Sequence, residues 1–304
     1  MPTNSSANMR VTRKSIIFET IVERLFLVIG MSCLFLLMLI SVFLFTEGLP
    51  ILKNVSPGEF LGGTQWYPTS GNPRFGVLPL IMASIAVTLL ASLIAVPLSL
   101  AIAVYLAELA APRVREIVKP VVEIIASIPS VIIGFFGMVV VAPFLQAKFG
   151  LDTGLNLFNA ALMLAFMAVP TIASISEDAI SSVPVSLKEG SFALGANRWQ
   201  TIFYITIPAS LSGIWTAVIL GISRVIGETM VVLMVAGGAA IIPKSIFDPV
   251  RPLTSNIAAE MAEAAVGGDH YHALFAIGII LFLITFAFNL VADYLSNRYK
   301  FKGS

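Results

Sequence analysis

Charge is scarce in this chain. Lysine, arginine, aspartate and glutamate make up 12% of its 304 residues, while 58% are hydrophobic. A soluble domain carries about 25% charged residues. A large core alone does not explain that shortfall, so most of the surface must face a solvent other than water, and a bilayer is that solvent. Cysteine is nearly absent: Cys33, inside an apolar run, is the only one. This excludes an intrachain disulfide and a thiolate metal cluster. The two histidines, His270 and His272, are too few for a metal site of fixed geometry. The phosphate-cradling pattern G-x-x-x-x-G-K-[ST] does not occur, so the chain itself is not expected to hydrolyse ATP. No cofactor is expected. A formal net charge of +1 says nothing by itself about nucleic-acid or acidic partners, and no nucleic-acid partner is expected.

What is present is a set of long apolar stretches. A helix crosses about 30 Å of hydrocarbon with roughly 20 residues. Six stretches qualify: 25–45, 77–106, 121–145, 158–175, 211–236 and 271–295. Each must be helical, because lipid offers no partner for an unpaired backbone group. The first follows Arg10, Arg13, Lys14 and Arg24, as a signal peptide would. It is longer than a signal core of roughly 7–15 residues, and no small-x-small cleavage site follows it, so it reads as a retained span. Pro97, Pro129 and Pro170 lie in or near spans and are expected to kink them. Trp66, Tyr67 and Tyr271 fit an outer aromatic belt, and Glu123 fits a helix cap at the interface.

Basic residues set the expected orientation. Arg113, Arg115, Lys119, Lys188, Arg198, Arg298, Lys300 and Lys302 fall with the N-terminal cluster on one side. Lys53, Arg74, Lys148, Lys244 and Arg251 fall on the other. The excess places both termini in the cytoplasm. The expected division is a cytoplasmic segment 1–24, a first span 25–45, a five-span core 77–295 and a cytoplasmic tail 296–304. The outer loop 237–270 contains an alanine-rich stretch, 257–266, that could form a short surface helix.

The inner segment 177–210 carries more pattern than a simple loop. Ser186 followed by Glu189 has capping-box spacing. A helix from there would end near Leu194, with Gly195 as its left-handed stop. A second helix would run from Asn197 to Ile205 and close at Pro208. The order Glu189-Gly190-Ser191, three residues, Gly195, nine residues, Ile205, one residue, Ile207-Pro208 resembles the EAA motif of ABC importer permeases. The resemblance implies that this knob docks on a separate ATPase and transmits its motion. Gly190, Ser191 and Ile207 depart from the motif's Ala, Ala and Leu. All three keep size or hydrophobicity, although Gly190 weakens its helix by about 1 kcal/mol.

The fifth span is interrupted by Arg224 and Glu228, which share a face if the helix is continuous. A charge within a span costs about 2.5–3.5 kcal/mol and normally faces a bundle interior or an aqueous cavity. One reading is a neutral pair that fixes packing. The other is a fork offered by Arg224 to an oxyanion, held in place by Glu228. Gly213, Ser223 and Gly227 would allow close helix approach around it.

The run GISRVIGETMVVLMVAG at 221–237 is similar to the phosphate importer permeases of the PstC branch. IPSVIIGFFGM at 128–138, VPTIASISEDAI at 169–180 and PVRPLTSNIAAEM at 249–261 agree with it. The resemblance implies an all-α integral membrane fold of the type I ABC importer permease, with six transmembrane helices and a cytoplasmic helix-turn-helix. It also implies phosphate as substrate, passing Arg224 and Glu228 in a multi-pass bacterial inner-membrane protein. The implied partners are two cytoplasmic ATPase subunits, a second homologous permease and an extracytoplasmic phosphate-binding protein. Another oxyanion, sulfate or molybdate, a phosphate-sensing scaffold and an ion-gradient carrier are the alternatives.

Overall fold

A computed structural model describes residues 13–298. Residues 1–12 and 299–304, including Arg10 and the basic residues Lys300 and Lys302, lie outside the described residues. Thirteen α-helices, one 3₁₀ turn, three π-turns and a ribbon of two two-residue strands are found in the described chain. Six helical segments are long and apolar enough to span a membrane.

The first is α1, Arg13–Gly48, whose stretch from Leu25 to Phe45 is apolar on all sides, as a helix must be when little of the chain covers it. It packs towards its Gly48 end, with Phe43 edge-on to Phe275 at 5.5 Å. There follow α2 (Pro57–Gly62) and the ribbon of β1 (Trp66–Tyr67) and β2 (Arg74–Phe75), paired antiparallel with Trp66 opposite Phe75. The second span is α3 (Leu78–Val104), extended by a π-turn, Tyr105–Leu109. Next come α4 (Pro112–Ala126), α5 (Ser130–Phe136), a π-turn at Gly137–Val141 and α6 (Ala142–Phe149). The fourth span is α7 (Leu157–Ser181).

The third span therefore begins at Ser130 rather than at 121. Pro129 lacks an N–H and disfavours helix in the residue before it, so α4 stops at Ala126 and a new helix starts. Pro97, Pro120 and Pro170 stay inside their helices.

The centre of the fold is the α3–α7 pair. Ala83, Val87, Ala91, Ala95, Ser99 and Ala103, spaced at four, are buried along α3. Small residues at that spacing let two backbones approach, which is how helices associate when lipid removes the hydrophobic drive. Ser99 adds an interhelical bond, its Oγ donating to Val169 O at 3.2 Å.

After α7 come α8 (Val185–Ala193) and α9 (Arg198–Thr201), then a π-turn (Ile202–Thr206) and α10 (Ile207–Ile226). α9 to α10 form one continuous segment, Arg198–Ile226, the fifth span. Pro208 does not close the second knob helix. Its missing donor falls where the π-turn widens the ladder, and the helix passes through. The fifth span ends at Ile226 rather than 236, and a separate short helix, α11 (Met230–Val235), follows. The chain finishes with α12 (Leu253–Glu260) and the sixth span, α13 (Asp269–Arg298).

α8 and α9 mark one end of the bundle, here the knob face; loops 49–77 and 237–268 occupy the far face. These far loops are packed: Ile51, Phe60, Trp66, Phe75, Leu253 and Leu274 form a second apolar cluster. The short helix there is α12, four residues earlier than the alanine-rich stretch, with Leu253 to Asn256 buried.

Candidate functional site

Arg224 lies in the last turn of α10, where a cation faces the negative end of the helix. It is exposed, one turn beyond the exposed Leu220 on the same face of the helix. Its guanidinium donates to the Thr171 hydroxyl on α7 at 3.1 Å. Other cations in the spans, such as Arg24, Lys53, Lys148 and Arg198, sit near span ends.

The expected Arg224–Glu228 pair does not form. α10 stops at Ile226, so Glu228 lies in a break rather than one turn further along a helix. Glu228 Oε1 instead accepts from the Met230 and Val231 amides at 3.0 and 3.2 Å. Those are orphan N–H groups at the start of α11, which a nearby carboxylate satisfies better than water-poor surroundings can. Among the described residues no ion pair joins Arg224 to Glu228. The break is buttressed from the far loop, with Thr254 Oγ1 donating to Glu228 O at 2.8 Å.

Close approach around this region comes from Gly213 and Gly221, not Gly227. A Cβ on Gly221 would meet Ile172 at 2.2 Å and one on Gly213 would meet Ala179 at 2.4 Å. Beside Gly227 it would meet only the helix's own Ser223 carbonyl. Ser223 uses its hydroxyl to reach Asn289 Oδ1 on α13, at 3.0 Å.

On the knob face, α8 carries Glu189, Gly190 and Ser191. No side chain caps its start, so the Ser186–Glu189 capping box is absent; Pro184 occupies the N-cap. The capping box belongs to α9, where Asn197 and Gln200 satisfy each other's backbone N–H. Gly195 has φ +84°, and the Gly195 and Ala196 amides bond back to Phe192 O and Ser191 O. This paired closure needs a left-handed residue. Ser191 is buried and its hydroxyl meets Thr201 Oγ1 at 3.0 Å, tying the two knob helices together. Glu189 and Pro208 are exposed, and Ile205 is half-buried. Leu194 is 91% exposed, and Trp199 stacks on Phe203 in the open. An exposed apolar cluster of this kind marks an interaction surface.

Several ion pairs joining the knob face were not legible as such in the sequence. Glu108, at the end of the second span, accepts from Lys188 of α8 at 2.5 Å, and its backbone carbonyl accepts from Arg198. Glu177, in the last turns of α7, is 0% exposed. Its carboxylate accepts from Arg115, from Lys119 at 2.6 Å and from Ser181 Oγ at 2.8 Å. Lys119 also reaches Asp178 at 2.5 Å. Hydrogen bonds to Asp178 and then Glu177 hold the Lys119 ammonium above its ordinary range. Residues 177–181 thus belong to the fourth span, not to the loop. The sequence signal is the i, i+4 pair Arg115/Lys119 facing the Glu177/Ser181 pair at the same spacing. Glu123, by contrast, is exposed in α4, whose C-cap bonds are backbone only.

On the far face Trp66 is 2% exposed and not part of an aromatic belt. Its indole donates to Glu260, which also accepts from Arg251 at 2.6 Å and meets His270 Nε2 at 2.9 Å. These groups line a cavity of about 420 Å³ with Tyr67 and Glu263. Asp248 accepts from the Lys244 and Ser245 amides at 2.7 and 2.9 Å, which holds its carboxyl below the ordinary range. The same turn receives the first amides of α7, from Leu157 to Asp248 O and from Phe158 to Ile246 O.

Residues 95–301 match the family described as "Binding-protein-dependent transport system inner membrane component". The probable ABC transporter permease protein YqgH of Bacillus subtilis is 42% identical over 263 residues, 86% of this chain and 85% of that protein. The phosphate transport system permease protein PstC of Mesorhizobium japonicum is 32% identical over 259 residues, 79% and 78% of the two chains. Among solved structures, a chain of a bacterial alginate ABC transporter in complex with its periplasmic protein superposes with a TM-score of 0.66. It is 18% identical, and the match covers 97% of this chain and 100% of that one. The chain belongs to the binding-protein-dependent transport inner-membrane component family, and is a multi-pass inner-membrane permease subunit of an ABC importer whose ATPase is a separate subunit.

Proposed function

We propose that the substrate is inorganic phosphate, and that Arg224 is the group that meets it in the membrane. The observation that carries this reading is a permanently charged fork on an open face of the fifth span, anchored at one nitrogen by Thr171. A guanidinium matches two oxygens of an oxyanion at once. Its other nitrogens are available, because Glu228 is engaged at α11. One anchored cation is a shallow site, as transport needs: the ion must leave again. The PstC relatives, named as phosphate permeases, support the same substrate class.

On this reading Glu228 acts through the helix break rather than by gripping Arg224. The coupling set is Glu189, Gly190, Ser191, Gly195, Ile205 and Pro208, with the exposed apolar residues of α8 and α9 docking on two ATPase subunits. The basic residues of the knob face support a cytoplasmic position for it and for both termini. A second homologous permease covers the open Arg224 face, and an extracytoplasmic phosphate-binding protein docks on the far loops. The proposed layout keeps segments 1–24 and 296–304 inside, with the core at 77–295.

Competition decides the substrate. Cells expressing the chain with its partner subunits should take up labelled phosphate, and excess sulfate or molybdate should leave the rate unchanged. Uptake of labelled sulfate or molybdate, with no uptake of labelled phosphate, would assign the other oxyanion. No uptake of any of the three would favour a sensing scaffold.

A further inference from the structure

We propose that α4 is a transmission lever, pinned to the fourth span by Glu177, that carries knob motion to the third span. The proposal rests on the reading of α8 and α9 as the ATPase-docking knob.

No residue of α4 is buried. Val114, Ile117, Val121 and Ile124 point away from the body and are exposed. The helix packs chiefly against α7 and the π-turn ending the second span. Packing is therefore thin, with Val118, Val122 and Ile125 only half-buried, and the directional attachment is ionic: Arg115 and Lys119 on Glu177, with Lys119 also on Asp178. Glu177 is a fully buried carboxylate, costly to leave without partners. That cost makes the pin close to all-or-none.

The pin sits between two joints. Three residues beyond Ser181 the chain turns at Pro184 into α8, whose Lys188 grips Glu108 below α4's own start. At its other end α4 meets residues 127–129, where Pro129 breaks the helix before α5. A displacement of the knob therefore reaches α4 at Glu108 and at Glu177 together. It leaves α4 only through the joint into the third span. The third span in turn packs on α11, directly after the Glu228 break: a Cβ on Gly134 would meet Met234 at 2.8 Å, and one on Gly137 would meet Val235 at 2.8 Å. Glu177 is thus a positioning residue linking knob to path.

The test uses the assembled transporter in proteoliposomes, in a Cys33→Ser background, with spin labels at Glu116→Cys and Lys148→Cys. Trapping the ATPase with ATP and vanadate should shift the label-to-label distance. Glu177→Gln should abolish the shift while ATPase association and basal hydrolysis persist, and ATP consumed per phosphate imported should rise at least tenfold. An unchanged shift in Glu177→Gln, or none with the pin intact, would overturn the proposal. Should Glu177→Gln not assemble, a second measurement decides: Lys119→Cys and Asp178→Cys bridged by a short thiol crosslinker. The double variant lacks part of the pin, so a lever moving with α7 predicts phosphate uptake that is low before bridging and recovers after it; uptake that bridging leaves unchanged or lowers contradicts it. Gly195→Val separates the underlying reading, because a failed knob loses ATPase association, which Glu177→Gln keeps.

Discussion

The Arg224 guanidinium donates to the Thr171 hydroxyl at 3.1 Å, joining the fifth span to the fourth beside the point where the fifth span breaks. Thr171 thus aims a charge that no carboxylate in the described residues holds. Hydrogen bonds to charged groups contribute about 1.5–3 kcal/mol, less where water can replace them. Thr171→Val should raise the KM for phosphate uptake about three- to tenfold, with the amount of transporter in the membrane unchanged. An unaltered KM would remove Thr171 from the site.

Glu228 makes a different prediction from the one its spacing suggests. As a salt-bridge partner it would need its charge; as the acceptor at the start of α11 it needs only an oxygen. Glu228→Gln should keep most uptake. Glu228→Ala should lose about 1 kcal/mol of stability, the typical cost of a lost helix cap, seen as a lower thermal midpoint in detergent. Equal loss in both variants would restore the charge-pair reading.

Gly195 is held at φ +84°, where a Cβ is strained. Gly195→Ala should cost about 1–2 kcal/mol locally and lower ATP-dependent uptake by uncoupling α8 from α9. The open surroundings of Gly190 predict the opposite sign there: Gly190→Ala should strengthen α8 by about 0.5–1 kcal/mol. Pull-down of the ATPase subunit by each variant checks both.

Asp248 couples the far face to pH. Its carboxyl is held below its ordinary value of 3.8 by two amides, so the folded turn binds protons less readily than the unfolded one. Its contribution is present in full above that ordinary value and is lost as pH falls through the lowered one. Amides of Leu157 and Phe158 should be protected from hydrogen exchange at pH 6 and lose protection towards pH 3. Asp248→Ala should show the loss already at neutral pH.

The spans are legible in sequence because lipid imposes one rule, a long apolar helix, and the six stretches follow it. The ends are less legible. Glu177 reads as the start of a loop because it is charged; the partners that let it stay helical, Arg115 and Lys119, lie far off in sequence. Arg224 and Glu228 read as one face because spacing assumes a continuous helix. The helix ends at Ile226 instead, and Thr254, distant in sequence, bonds the Glu228 carbonyl in the break. Gly195 is legible because its need is local, a left-handed turn. Trp66 is not, because its half-buried partner Glu260 lies across the fold.

The central claim is that phosphate passes this subunit at Arg224. Its most direct measurement is labelled phosphate uptake by Arg224→Gln and Arg224→Lys in transporters shown to assemble and hydrolyse ATP normally. Losing a bidentate, charge-assisted contact predicts a fall of roughly 10- to 100-fold for the glutamine variant, and a smaller loss for lysine, which keeps charge but not the fork. Wild-type uptake by the assembled glutamine variant would contradict the account.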